Sequence, residues 1–160
     1  MKNSIILLMC VFFLISCGNS NRENQINSEQ KENIINVKTI IGKTESEIEK
    51  TLGKAESSEK VSPSSTPCKN NPCEKKFYQN NKFEIVYIDG KSDWITINDV
   101  STFNCDAENI VLLGLPSTAP SFDNPSNVIR WNDIENIKEV DFFNNGEDKI
   151  DYIYIKAFTN

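Results

Sequence analysis

Gly42-Lys43-Thr44-Glu45-Ser46-Glu47-Ile48-Glu49-Lys50-Thr51-Leu52-Gly53 is a stretch that writes its own beginning and end. Thr44 and Glu47 have the S/T-x-x-E spacing of a capping box, in which hydroxyl and carboxylate satisfy amides that a helix start leaves open. Ile48 and Leu52 stand four apart on one face, and Gly53 is placed to supply the left-handed residue after the last turn. The stretch predicts a helix of two turns. A helix that short is unstable alone, so Ile48 and Leu52 must bury against another element.

On the C-terminal side, residues 57–72 hold Ser, Pro, Lys and Asn and read as a loop closed by Cys68 and Cys73. The period then becomes two, predicting strands at 76–78, 83–88 and 94–97, with a turn at 89–93 around Gly90. On the N-terminal side, Ile34, Ile35, Val37, Ile40 and Ile41 suit a short helix or a strand, and their β-branching leaves both open. The order then recurs. Residues 107–116 predict a second helix whose Leu113-Gly114-Leu115-Pro116 lies 61 residues after Leu52-Gly53-Lys54-Ala55. A polar loop at 117–127, a strand at 128–131 and a hairpin of 137–143 with 150–158 follow. Each half reads helix, loop, strand, strand, turn, strand. The expected class is α+β, short helices packed on an antiparallel sheet. The halves 37–98 and 99–160 are either tandem units or two instances of a common helix-then-meander order.

Lys2 is the only charge before Arg22, and behind it an apolar run over residues 5–15 leads into Leu14-Ile15-Ser16-Cys17-Gly18. Eleven residues span roughly 16 Å as a helix, about half a bilayer's hydrocarbon core. That is the size of a signal-peptide apolar region. The ending resembles a bacterial lipobox, which assigns residues 1–16 to a removed leader and Cys17 to lipidation by long acyl chains, palmitate among them. Removal leaves 144 residues and takes Lys2 away, so the net charge moves from -6 to -7. Residues 17–36, poor in apolar side chains, read as a flexible tether reaching about 25 Å, and the globular part as 37–160. Gly18, in place of the Asp that resembles an inner-membrane retention signal, favours the outer membrane. The expected place is the cell envelope, with the bilayer as first partner through Cys17.

The 160 residues contain no histidine, which removes His-based triads and His-ligated zinc. The acidic balance argues against a nucleic-acid partner. Gly42-Lys43-Thr44 fails as a phosphate loop because Val37 stands where the first glycine belongs. Tested as a calcium loop, the 141–152 stretch puts Phe143 and Tyr152 at ligand positions, so it reads as a hairpin turn. No Asp or Glu falls in a catalytic motif. The chain is therefore expected to be no enzyme, with no catalytic residue, no metal and no cofactor.

Cys68 and Cys73 enclose four residues in an oxidising compartment and are the expected disulfide; a bridge from either to Cys105 is the alternative. In the last strand Ile153 and Ile155 alternate with Tyr152 and Tyr154, and in the first hairpin Ile95 and Ile97 alternate with Trp94 and Thr96. If the Ile rows face the helices, Trp94, Tyr152 and Tyr154 project from the opposite face. Such side chains dominate binding hot spots. The alternative is that they simply cover the sheet.

Gly42-Lys43-Thr44-x-x-Glu47-Ile48-x-x-x-Leu52-Gly53-Lys54-Ala55 before a meander, behind a lipidated tether, resembles the SmpA/OmlA (BamE-type) lipoprotein domain. Ala55 stands where that family has Pro, and Asn109 where a second helix would have an apolar residue. Two such units resemble the β-lactamase-inhibitory-protein arrangement, in which two helix-plus-sheet repeats share one extended sheet. The resemblance implies protein binding without catalysis, by an assembly factor or a hydrolase inhibitor, with an envelope protein as partner. A small enzyme using carboxylates or Cys105, and a purely structural lipoprotein, are the rival readings.

Overall fold

The structure, a computed structural model, describes residues 32–158 except Pro63, Ser65, Thr66, Pro67 and Lys69. The leader, Cys17 and the tether up to residue 31 lie outside the described residues. A 3-10 helix Val37–Thr39 precedes α1 (Glu45–Leu52), then β1 (Ser57–Lys60), β2 (Cys73–Tyr78), β3 (Phe83–Ile88) and β4 (Lys91–Ile97). A second 3-10 helix, Ala107–Leu113, leads into β5 (Phe122–Asn124), β6 (Val128–Ile134), β7 (Ile137–Asn144) and β8 (Ile150–Lys156).

All eight strands form one sheet in the order β1-β2-β3-β4-β8-β7-β6-β5, every pair antiparallel. Two meanders thus meet at their last strands. At that seam Ile95 faces Ile155 and Ile97 faces Ile153, all four fully buried. Alternation carries this across the sheet: Phe83 and Ile85 oppose Ile97 and Ile95, while Val140 and Phe142 oppose Ile155 and Ile153. These residues share one buried cluster with Ile48 and Leu52 of α1 and with Ile110 and Leu113 of the second 3-10 helix.

Both meanders carry a bulge near the start of their last strand. Val86 pairs with Trp94 but Tyr87 with Ser92, which leaves Asp93 as the extra residue. Phe143 pairs with Tyr152 but Asn144 with Ile150, which leaves Asp151 extra. An extra residue bends its strand and re-aims the next side chain. Here that side chain is Trp94 in one meander and Tyr152 in the other.

Several expectations are corrected. Each meander has four strands, because β1 and β5 lie inside the stretches read as polar loops. Both are edge strands exposed along their length, so they lack the apolar rhythm that marks a half-buried strand. Ser92 and Asp93, read as turn, are buried strand residues. Ile34 and Ile35, placed in the tether, reach the folded unit: Ile35 is buried and the Ile34 amide donates to Leu112 O at 2.8 Å. Gly53 has positive φ but extended ψ, so it ends α1 without the left-handed cap. Gly114 does take the left-handed conformation. Asn109 is buried because its amide donates to Asn104 O at 2.7 Å.

Candidate binding face of the sheet

The strand period of two sends alternate residues away from the Ile cluster. Across the sheet this outer set includes Lys75, Glu84 and Val86, then Trp94, Tyr152 and Tyr154, then Asp141, Phe143 and Arg130, as the strand register dictates. Trp94, Tyr152 and Tyr154 therefore do lie on one face. They are half-buried rather than projecting freely, because each is covered by a neighbour. Trp94 and Tyr154 meet edge to face, ring centres 5.0 Å apart. Tyr152 stacks on Phe143 at 4.6 Å. The Lys156 ammonium sits 4.5 Å from the Trp94 ring centre, a cation–π contact.

The charges of this face are organised in two clusters. Lys75 reaches Glu59 at 3.4 Å and Glu84 at 3.2 Å, and Glu84 also accepts from the Asn98 amide at 2.9 Å. Arg130 grips Asp141 with two bonds, 2.6 and 3.1 Å, and lies 3.7 Å from Glu139. Asp141 is only 2 % exposed, so the bidentate grip replaces the water it gives up. Tyr154 is tied into neither cluster: its hydroxyl is buried and makes no hydrogen bond to any described residue. Burial first, then the carboxylates of Glu139, Asp93 and Asp141, push that phenol far above its ordinary range. The Tyr152 phenol is raised as well, by burial and then by Asp151 and Asp141.

β1 lies four strand spacings from β8, about 19 Å across a flat sheet. Yet Val61 and Ser62, just past β1, line the same cavity of about 490 Å³ as Trp94, Thr96 and Tyr154. The face is hollow there, with the chain leaving β1 as one wall.

Comparison with protein-family models, with curated proteins and with solved structures returns no match. The site rests on its own geometry.

Cys68 and Cys73 are joined in a disulfide, with Cα atoms 5.6 Å apart, and Cys105 keeps a buried thiol. Among the described residues no three His, Cys, Asp or Glu side chains gather closely enough to hold a metal ion. Sequence reasoning placed Trp94, Tyr152 and Tyr154 on one face but missed the two ion clusters and the β1 wall. Alternation in 73–78 puts Lys75 and Phe77 on the same side, a signal that was available. The wall has no such signal, since it depends on where an edge strand ends.

Proposed function

We propose that this chain is a lipid-anchored lipoprotein of the bacterial envelope, held through Cys17, whose domain binds a protein partner on its outer sheet face without catalysis. The observation that carries the reading is the set of Trp94, Tyr152 and Tyr154 on the face opposite the Ile cluster. The three rings are only half-buried, so each keeps apolar area that a partner can cover. At an interface those side chains supply large area with a polar handle. The edges of this sheet do not compete for the role: β1 and β5 are short, and Pro125 follows β5 directly, features that discourage strand addition.

The same reading takes the helices as packed on the inner face and the chain as two tandem units of the SmpA/OmlA type sharing one sheet. The matched bulges support it. Asp93 before Trp94 and Asp151 before Tyr152 occupy corresponding places in the two meanders. So do Tyr78 opposite Phe83 and Trp131 opposite Val140, all buried.

In-membrane crosslinking of the native lipoprotein tests the function. The reading expects one envelope protein in stoichiometric yield, joined through the outer face. Recovery of the uncrosslinked lipoprotein alone contradicts it and favours a structural role.

A further inference from the structure

The turn that joins β7 to β8 carries Asn145-Gly146, and of the 21 asparagines in the chain Asn145 alone is followed by glycine. Such a pair can modify itself. The glycine backbone nitrogen attacks the side-chain amide carbon of the asparagine, with no side chain on the attacking residue to obstruct it. The new N–C bond closes a five-membered imide as the bond to the side-chain nitrogen breaks. Ammonia leaves, the Gly146 amide proton having passed to it by way of solvent. Water then opens the ring at either carbonyl, which yields aspartate or the isomer whose backbone runs through the former side chain. Water is the only other reactant.

Both reacting groups of this turn are held by hydrogen bonds. Asn145 Oδ1 accepts from the Glu147 amide at 2.8 Å and from the Lys149 amide at 3.3 Å. Two donors on this oxygen stabilise the negative charge it gains during attack, so the electrophile is prepared. The nucleophile is not. The Gly146 amide donates to Oδ1 of Asn144, and an acceptor on the protonated form opposes loss of that proton. Asn144 is fixed in turn by the β5–β6 connection: its Nδ2 donates to Pro125 O at 2.6 Å and its backbone amide to Asn127 O at 2.9 Å. Residues 145–148 are exposed, so water reaches the imide.

We propose that Asn145 is a self-modification site and that the Asn144 side chain is its guard, slowing imide formation by holding the Gly146 amide proton. The two products differ in effect. Aspartate adds one negative charge to a chain already at -6 and still offers Oδ1 to both amides. The β3–β4 turn carries such a pair, Asp89-Gly90, from the start. The isomer lengthens the backbone between residues 145 and 146, beside the bond from the Asn145 amide to Lys149 O at 3.0 Å. It should loosen that end of the hairpin.

The test incubates the intact protein at mildly alkaline pH and follows the peptide 139–149 for the amide-to-acid mass gain. Fragmentation places the gain, and labelling by an isoaspartyl methyltransferase counts the isomer. Asn144→Ala removes the acceptor and should speed conversion at residue 145 about tenfold. Asn144→Asp keeps an acceptor for Gly146 but loses the donor to Pro125, so it should convert no faster than the wild type. Both variants cut the Pro125 link, so the pair separates the guard from mere loosening of the turn. Equal rates in Asn144→Ala and the wild type, or equal acceleration in Asn144→Ala and Asn144→Asp, overturn the inference. Hydrogen exchange of the wild type covers the case in which a variant fails to fold. The Gly146 amide should exchange at least about tenfold more slowly in the folded protein than in the urea-unfolded chain, and an unprotected Gly146 amide overturns the guard.

Discussion

Trp94 on β4 and Tyr154 on β8 meet edge to face at 5.0 Å across the seam where the two meanders join. Among the described residues β4–β8 is the strand pairing that joins the halves, and the pair spans it, so the aromatic patch and the junction of the fold are one place. Edge-to-face aromatic pairs contribute about 0.5–1.5 kcal/mol beyond their buried area. Tyr154→Ala should therefore destabilise more than Tyr152→Ala, whose ring stacks on Phe143 nearer to solvent. Paired thermal unfolding curves check the order.

Lipid attachment is the next expectation. Cys17→Ser should abolish labelling by radioactive palmitate and leave unprocessed precursor. A Ser variant still cleaved before residue 17 and still membrane-bound without label would contradict the lipobox reading.

Thiol chemistry should follow burial. Peptide mapping of the unreduced protein is expected to link Cys68 to Cys73. Cys105, whose thiol is pushed up by burial, should react with alkylating reagents only after unfolding. A bridge to Cys105 contradicts this. The loop closed by the disulfide is short, so its removal should cost at the low end of the usual range, about 2 kcal/mol.

Gly114 is held by more than its left-handed conformation. A Cβ there would meet the Asn36 backbone at 3.1 Å, at the point where the chain enters the folded unit. Gly90 also has positive φ, yet a Cβ there meets nothing. Gly114→Ala should thus lose about 1–3 kcal/mol and Gly90→Ala about 1 kcal/mol by denaturant titration.

The α1 cap predicts a pH response with a defined sign. The Glu47 carboxylate accepts from the Thr44 amide at 2.9 Å and its hydroxyl at 2.7 Å. The amide bond, then the hydroxyl, lower its pKa from 4.5. A lowered folded pKa adds stability that is fully present above pH 4.5 and is lost as pH falls through the folded value. Glu47→Gln should flatten the acid limb of the stability profile below pH 4.5 and leave the neutral region's slope alone.

How much of this was legible depended on burial. The α1 boundaries, the Ile rows and the existence of the two hairpins were readable because each rests on local spacing that one buried face enforces. β1 and β5 were not, since an exposed edge strand has polar residues on both sides and looks like loop. Ser92 and Asp93 looked like turn because Asp89 and Gly90 precede them, whereas the bulge absorbs Asp93 into β4. The β4–β8 pairing has no local signal, because it joins residues some 60 apart. The alternation of Ile with Trp and Tyr fixed which side chains share a face. Their partial coverage by Phe143, Lys156 and one another depends on cross-strand neighbours that only the register supplies.

Binding of a protein by the outer face is probed by Trp94→Ala combined with Tyr152→Ala. Truncating two hot-spot aromatics loses about 2 kcal/mol or more each, at least a hundredfold in affinity if the effects add. The doubly substituted protein is expected to be folded, disulfide-linked and membrane-bound, with its crosslink to the envelope partner lost. An undiminished crosslink from a folded double variant would place the binding surface elsewhere than on the outer sheet face.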